Sequence, residues 1–124
     1  MRYITAEQFR GQPEEVQKIL LDWWEPEMHD MYSKRVGDLG VITTHIGDKG
    51  QLKLASKFKG VDMTPLFTLH QLWEFIEYEL SSDLNISYVN GSYILEVGIW
   101  FHRAHKDKLQ AFWECACEVA RVIK

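Results

Sequence analysis

Histidine is the side chain best suited to proton chemistry near neutral pH, and the chain has five: His29, His45, His70, His102 and His105. His102 and His105 are the only pair at a tempting spacing. On one helical turn they would offer two imidazoles to a divalent metal, with Asp107 as a third donor. The helix that follows is expected to begin between them, which separates the rings, so a solvated strand-to-helix junction is the simpler reading. His29-Asp30 would form an acid–base pair with Glu25 or Glu27. No nucleophile accompanies it, because the chain lacks G-x-S-x-G, a P-loop, H-E-x-x-H and G-x-G-x-x-G. The sequence therefore points to no catalytic residue, metal or cofactor, and it favours a binding protein over an enzyme.

Two further groups bear on binding. Lys53, Lys57 and Lys59 alternate along what reads as a strand, with Lys34, Arg35 and Lys49 expected near it in the fold. They would make a basic stripe for phosphate or single-stranded nucleic acid, with Tyr32 or Trp100 as a stacking platform. Lysines on a wet strand also guard an edge against aggregation, which is the plainer account. Ile94, Glu96, Trp100 and His102 fall on the outward face of the last expected strand. Tryptophan seldom stands alone in water. Either another part of the chain covers Trp100 or it anchors a partner surface.

The chain has 124 residues, which suits one domain, 1–124, better than two. Its net charge of −4 argues against a general nucleic-acid binder, which needs a basic footprint. No apolar run reaches the length of a membrane span, and the N-terminal residues carry no apolar signal segment, so a cytoplasmic protein is expected. Cys115 and Cys117 are two apart on an expected helix and point about 200° away from each other. They read as reduced thiols serving as small hydrophobes.

The elements that must position these residues follow from periodicity. Thr5 with Gln8 forms a capping box for a short turn, and Gly11 interrupts it. Pro13, Glu14 and Glu15 start a helix whose apolar stripe is Val16, Ile19, Leu20 and Trp23 and which ends before Pro26. Residues 25–39 show no period and read as a surface loop with at most a short strand. Gly40–Phe58 reads as a hairpin turning at Asp48-Lys49-Gly50, with Gly50 left-handed. Thr68 and Gln71 cap the clearest helix of the chain, whose Leu69, Leu72, Trp73, Ile76 and Leu80 share a face while Glu77 lies largely off it. Asn90-Gly91 marks a second hairpin with a type I′ turn. It sets Tyr88 against Tyr93, Ile86 against Leu95 and Leu84 against Val97, a row continued inward by Ile99 and Phe101. A last helix begins near Ala104–Asp107 and buries Leu109, Phe112, Ala116, Val119, Ala120 and Ile123. The order α-α-β-β-α-β-β-α gives an α+β fold: an antiparallel sheet from two β-hairpins packed against about four helices.

Two stretches carry a resemblance. Trp23-Trp24-Glu25-Pro26-Glu27, followed by Gly37-Asp38, is similar to a W-x-P then G-D pattern. Residues 64–77, TPLFTLHQLWEFIE, resemble a P-L-hydrophobic-T-x-x-Q-L-x-x-F-I-E pattern. Both patterns occur in small uncharacterised proteins encoded by phages and prophages of Gram-positive bacteria. The resemblance implies an accessory gene product acting inside a bacterial host cell, and it carries over no catalytic residues. The expected function is protein–protein binding or self-association, as a homodimer, through an aromatic-bearing sheet face or edge. The alternatives are nucleic-acid binding through the lysine strand and, more remotely, a small hydrolase built on His29-Asp30.

Overall fold

The computed structural model describes residues 3–61, 63–97 and 107–122, and residues 100–103 by their backbone. Gly98, Ile99, Ala104, His105 and Ile123 lie outside the described residues. The fold is α+β, with five helices and two antiparallel three-stranded sheets among the described residues. The chain gathers into two compact units, Thr5–Phe67 and the remainder, Met1–Ile4 with Thr68–Lys124.

In the first unit, Thr5 caps α1 (Ala6–Arg10) through its reciprocal bonds with Gln8. Gly11 follows as its C-cap. Pro13 precedes α2 (Glu14–Trp23), whose glutamates sit where the helix dipole favours them. Val16 and Leu20 are buried. Phe67 packs its ring 6.3 Å from Phe9 and 6.1 Å from Trp23, which joins both helices to the end of this unit.

The sheet of this unit departs from the expected hairpin. Met31–Arg35 is β1, a central strand and not loop, and Val41–His45 is β2, an edge. They pair antiparallel, with Tyr32 opposite Thr44 and Lys34 opposite Ile42. The segment expected to pair with β2 is instead a helix, α3 (Lys49–Phe58). Asp48 accepts the Gln51 N–H at 2.8 Å, and Gln51 Oε1 accepts the Gly47 N–H at 2.6 Å. Those bonds satisfy donors that a starting helix leaves open. Gly50 does not adopt a positive φ, so the left-handed turn that the hairpin required is absent. β3 (Met63–Pro65) completes the sheet in the order β2-β1-β3. Gly60 leads into it with φ +85, and a Cβ there would stand 2.9 Å from Leu21 Cδ1. Only glycine meets both demands without strain.

In the second unit, Thr68 and Gln71 form the expected capping box of α4 (Leu69–Leu80). Leu72, Phe75 and Ile76 are buried. Ser81 ends the helix in the left-handed region at φ 49. β4 (Leu84–Val89) and β5 (Ser92–Val97) pair in the expected register, Leu84 to Val97, Ile86 to Leu95 and Tyr88 to Tyr93. The chain then reverses into β6 (Trp100–Arg103), so the sheet order is β4-β5-β6. α5 (Lys108–Val122) packs on α4, with the Trp73 and Phe112 rings 5.3 Å apart. Leu109, Phe112, Trp113, Cys115, Ala116, Cys117, Val119 and Ala120 are all buried, so this helix is covered on most of its circumference. Among the described residues, no helix is long and apolar enough to cross a membrane.

Candidate functional site

The β4–β5 hairpin places β4 at an edge of the second unit's sheet. Asn90 at φ 51 and Gly91 at φ 79 form the type I′ turn. In such a two-residue hairpin the flanking residues, Val89 and Ser92, exchange both backbone hydrogen bonds, and every second pair repeats the pattern. Ser87 with Ile94 and Asn85 with Glu96 are therefore the bonded pairs. The N–H and C=O groups of Leu84, Ile86 and Tyr88 point away from β5, toward the open side of the sheet. Leu84 bears this out, because its N–H donates to Glu77 Oε2 at 2.6 Å instead of to the ladder. Among the described residues, nothing pairs with the outward groups of Ile86 and Tyr88.

Toward the hairpin tip the side chains of this edge are open as well. Tyr88 is 60% exposed and Val89 46%. The Tyr88 and Tyr93 rings meet edge to face at 4.8 Å between centroids. Tyr88 was expected to point into the core, and it does share the row of Leu95, but the row runs out into solvent at the hairpin tip. From Leu84 to Val89 there is no charged residue and no proline, the two devices that usually protect an edge.

Of the four residues expected to form the binding face, Ile94 is half-buried and Glu96 is exposed on β5. Trp100 and His102 do not continue their row. The single strand expected through residue 102 is two strands, and the register pairs Trp100 with Val97 and His102 with Leu95. Gly98 and Ile99 lie outside the described residues, as does His105, the partner expected for His102.

The lysine stripe is also rearranged. Lys53 and Lys57 lie one turn apart on α3, exposed, and not on a strand. Lys59 follows the helix, and its Nζ donates to the Trp24 carbonyl at 2.6 Å, so it buttresses the end of α2. His29 and Asp30 take structural roles as well. The Asp30 carboxylate accepts the Trp24 indole N–H and the Glu27 N–H, both at 3.0 Å. His29, at φ 75, stacks on His45 with 6.3 Å between rings. Among the described residues, no three His, Cys, Asp or Glu side chains are grouped to hold a metal ion. Burial pushes the Cys115 and Cys117 thiols up to about 12, which keeps them protonated and unreactive.

The first unit holds a polar cleft whose residues are scattered along the sequence with no linear cue. It has a volume of about 230 Å³ and is lined by Phe9, Arg10, Gln17, Leu21, Arg35 and Thr64 among others. Arg10 Nη2 donates to Thr64 Oγ1 at 3.3 Å. Ser33, buried on β1 directly across from Thr64, has a hydroxyl with no partner among the described residues.

No protein-family model matches the chain, and no curated protein or solved structure matches it either.

Proposed function

We propose that the protein is a binding module that associates with a second copy of itself through the free edge of β4. The observation behind this reading is the six-residue edge without charge or proline, which carries the exposed Tyr88 packed on the half-buried Tyr93. An edge is a template for another strand, because its unpaired N–H and C=O groups regain partners when one is added. A second copy fits the chemistry of this edge. Two chains of net charge −4 repel each other over most of their surface, but uncharged edges bring no like charges together. About a two-fold axis at Ser87, Ile86 of one copy lies opposite Tyr88 of the other, and both residues use their outward backbone groups. The tyrosines then supply the aromatic contact that dominates many interfaces.

The cellular setting proposed is the cytoplasm of a bacterial host, in the accessory role that the resemblance to phage and prophage proteins implies. Nucleic-acid binding is the second reading, carried by Lys53 and Lys57 on one face of α3. Its signature would be oligonucleotide binding that weakens steeply with salt and is lost in Lys53→Ala/Lys57→Ala.

Sedimentation velocity tests the first reading on the wild type, Tyr88→Ala and Tyr88→Pro. Both variants lose the ring, but only proline also loses the outward N–H. A wild-type dimer weakened by alanine and abolished by proline, with circular dichroism unchanged, is the expected result. A wild type that stays monomeric at high concentration would sink the proposal.

A further inference from the structure

We propose that the cleft of the first unit binds the phosphate group of a small organic phosphomonoester, gripped by Arg10 and Arg35. The cleft is built where three local features meet. Arg10 is the last residue of α1 and Arg35 the last of β1. Thr64, on β3, is antiparallel partner to Ser33, and opposed residues share a face of a sheet. Arg35 is two residues beyond Ser33 on that same face. One face of the sheet thus presents Thr64, Ser33 and Arg35 together, and Thr64 Oγ1 holds Arg10 by accepting from its Nη2 at 3.3 Å.

The charges of this arrangement are unbalanced. Among the described residues, neither guanidinium has a carboxylate within ion-pair reach, in a chain whose net charge is −4. Two exposed guanidiniums lining one cleft repel each other, and a bound anion reverses that penalty. A phosphomonoester carries roughly −1.5 to −2 at neutral pH, which matches two guanidiniums, whereas a carboxylate matches one. The planar fork of arginine also suits paired phosphate oxygens better than a lysine ammonium would.

The cleft is ready-shaped on its other side. Gln17 Nε2 donates to the Arg10 carbonyl at 3.1 Å and the Gln12 carbonyl at 2.8 Å, which pins α1 to α2 beside the guanidinium. Phe9 and Leu21 form an apolar wall, and Gly60 allows Leu21 its close approach. At about 230 Å³ the cleft is smaller than the roughly 300–1,000 Å³ that encloses a whole ligand. It accommodates the phosphate head and leaves the organic part outside. The buried Ser33 hydroxyl, free of partners among the described residues, is an uncommitted donor opposite Thr64.

The test is a titration of the full chain with inorganic phosphate, and separately with acetate, at constant ionic strength, followed by amide chemical shifts. Saturable phosphate shifts centred on Arg10, Gln17, Arg35 and Thr64 are expected, with weaker binding of acetate. Arg35→Gln should lower phosphate affinity at least about tenfold, the loss of one charged hydrogen bond, with an unchanged melting temperature. Should that variant unfold, the wild-type shift map decides alone. Shifts centred on Lys53 and Lys57, acetate binding as tight as phosphate, no saturable shift at all, or full affinity in a folded Arg35→Gln would each overturn the proposal.

Discussion

The two sheets end in free edges of different kinds. β4 is held from beneath: Leu84 is buried, Ile86 half-buried, and their cross-strand partners Val97 and Leu95 are buried. β2 is far more open, with only Thr44 half-buried among its residues. Val41, Ile42, Thr43 and His45 are all exposed, and Ile42 and Val41 lie opposite Lys34 and Arg35 on β1. An edge works as a template only if its own strand keeps its shape. The held strand can therefore present a fixed row of donors and acceptors, while the more open one depends chiefly on its ladder, beside two positive charges that a second copy would double.

The largest test of this contrast is core truncation. Leu95→Ala, beneath the β4 edge, should cost about 2–5 kcal/mol. Val41→Ala on β2 should stay within roughly 0.5–1 kcal/mol. Urea melts giving equal losses would mean that β2 is anchored as firmly as β4. Next comes Glu77→Ala. The sequence put Glu77 largely off the buried face, but it is half-buried and accepts the Leu84 N–H at 2.6 Å. Its loss leaves that donor unsatisfied and should cost about 1–3 kcal/mol. A melt unchanged from wild type would show that the edge does not need this tie.

Proline placement compares the edges directly. The Val36 N–H bonds the Gly40 carbonyl and the Ile46 N–H bonds the Asp30 carbonyl. The alternation that follows turns the Thr43 N–H outward, as that of Tyr88 is turned on β4. Tyr88→Pro should weaken self-association by more than about 1.4 kcal/mol, a tenfold change, and Thr43→Pro should leave it intact. The reverse outcome in sedimentation would move the interface to β2.

The smallest effect is alkaline. Both thiols are raised from 9.0 to about 12 by burial in α5, so the folded chain holds protons that the unfolded chain releases. Their contribution to stability is complete below pH 9 and falls as pH rises toward 12. Replacing both with alanine should flatten that part of a melting temperature–pH profile, and an equally steep decline would assign it to other groups.

What the sequence made legible was what is decided locally. The Thr5 and Thr68 capping boxes and the Asn90-Gly91 turn each lie within four residues, and all three formed as expected. Asp48-Lys49-Gly50 is local too, but its chemistry serves either a turn or a helix start. The Asp48 and Gln51 bonds to the backbone decided for the helix, and the lysine strand and the first hairpin went with it. β1 was illegible for a different reason. Met31-Tyr32-Ser33-Lys34-Arg35 lacks alternation because Tyr32 and Ser33, neighbours in sequence, are both buried. The division into β5 and β6 was missed because the apolar row ran on past Val97, and Trp100 and His102 were misplaced with it. Arg35 and Thr64 come together through the pairing of β1 with β3, and Arg10 joins them through its bond to Thr64, contacts that no short window of sequence contains.

Slippage is the usual weakness of strands that pair edge to edge, since a shift of two residues keeps every side chain on its proper face. The Glu77 carboxylate stands in the way of such a shift. It already occupies the Leu84 N–H, so a strand sliding toward α4 would meet an amide that is taken and would have to displace a charge-assisted bond. The helix thereby limits how far added pairing can run toward Leu84, and a feature that stabilises one chain would also narrow the alignments open to two.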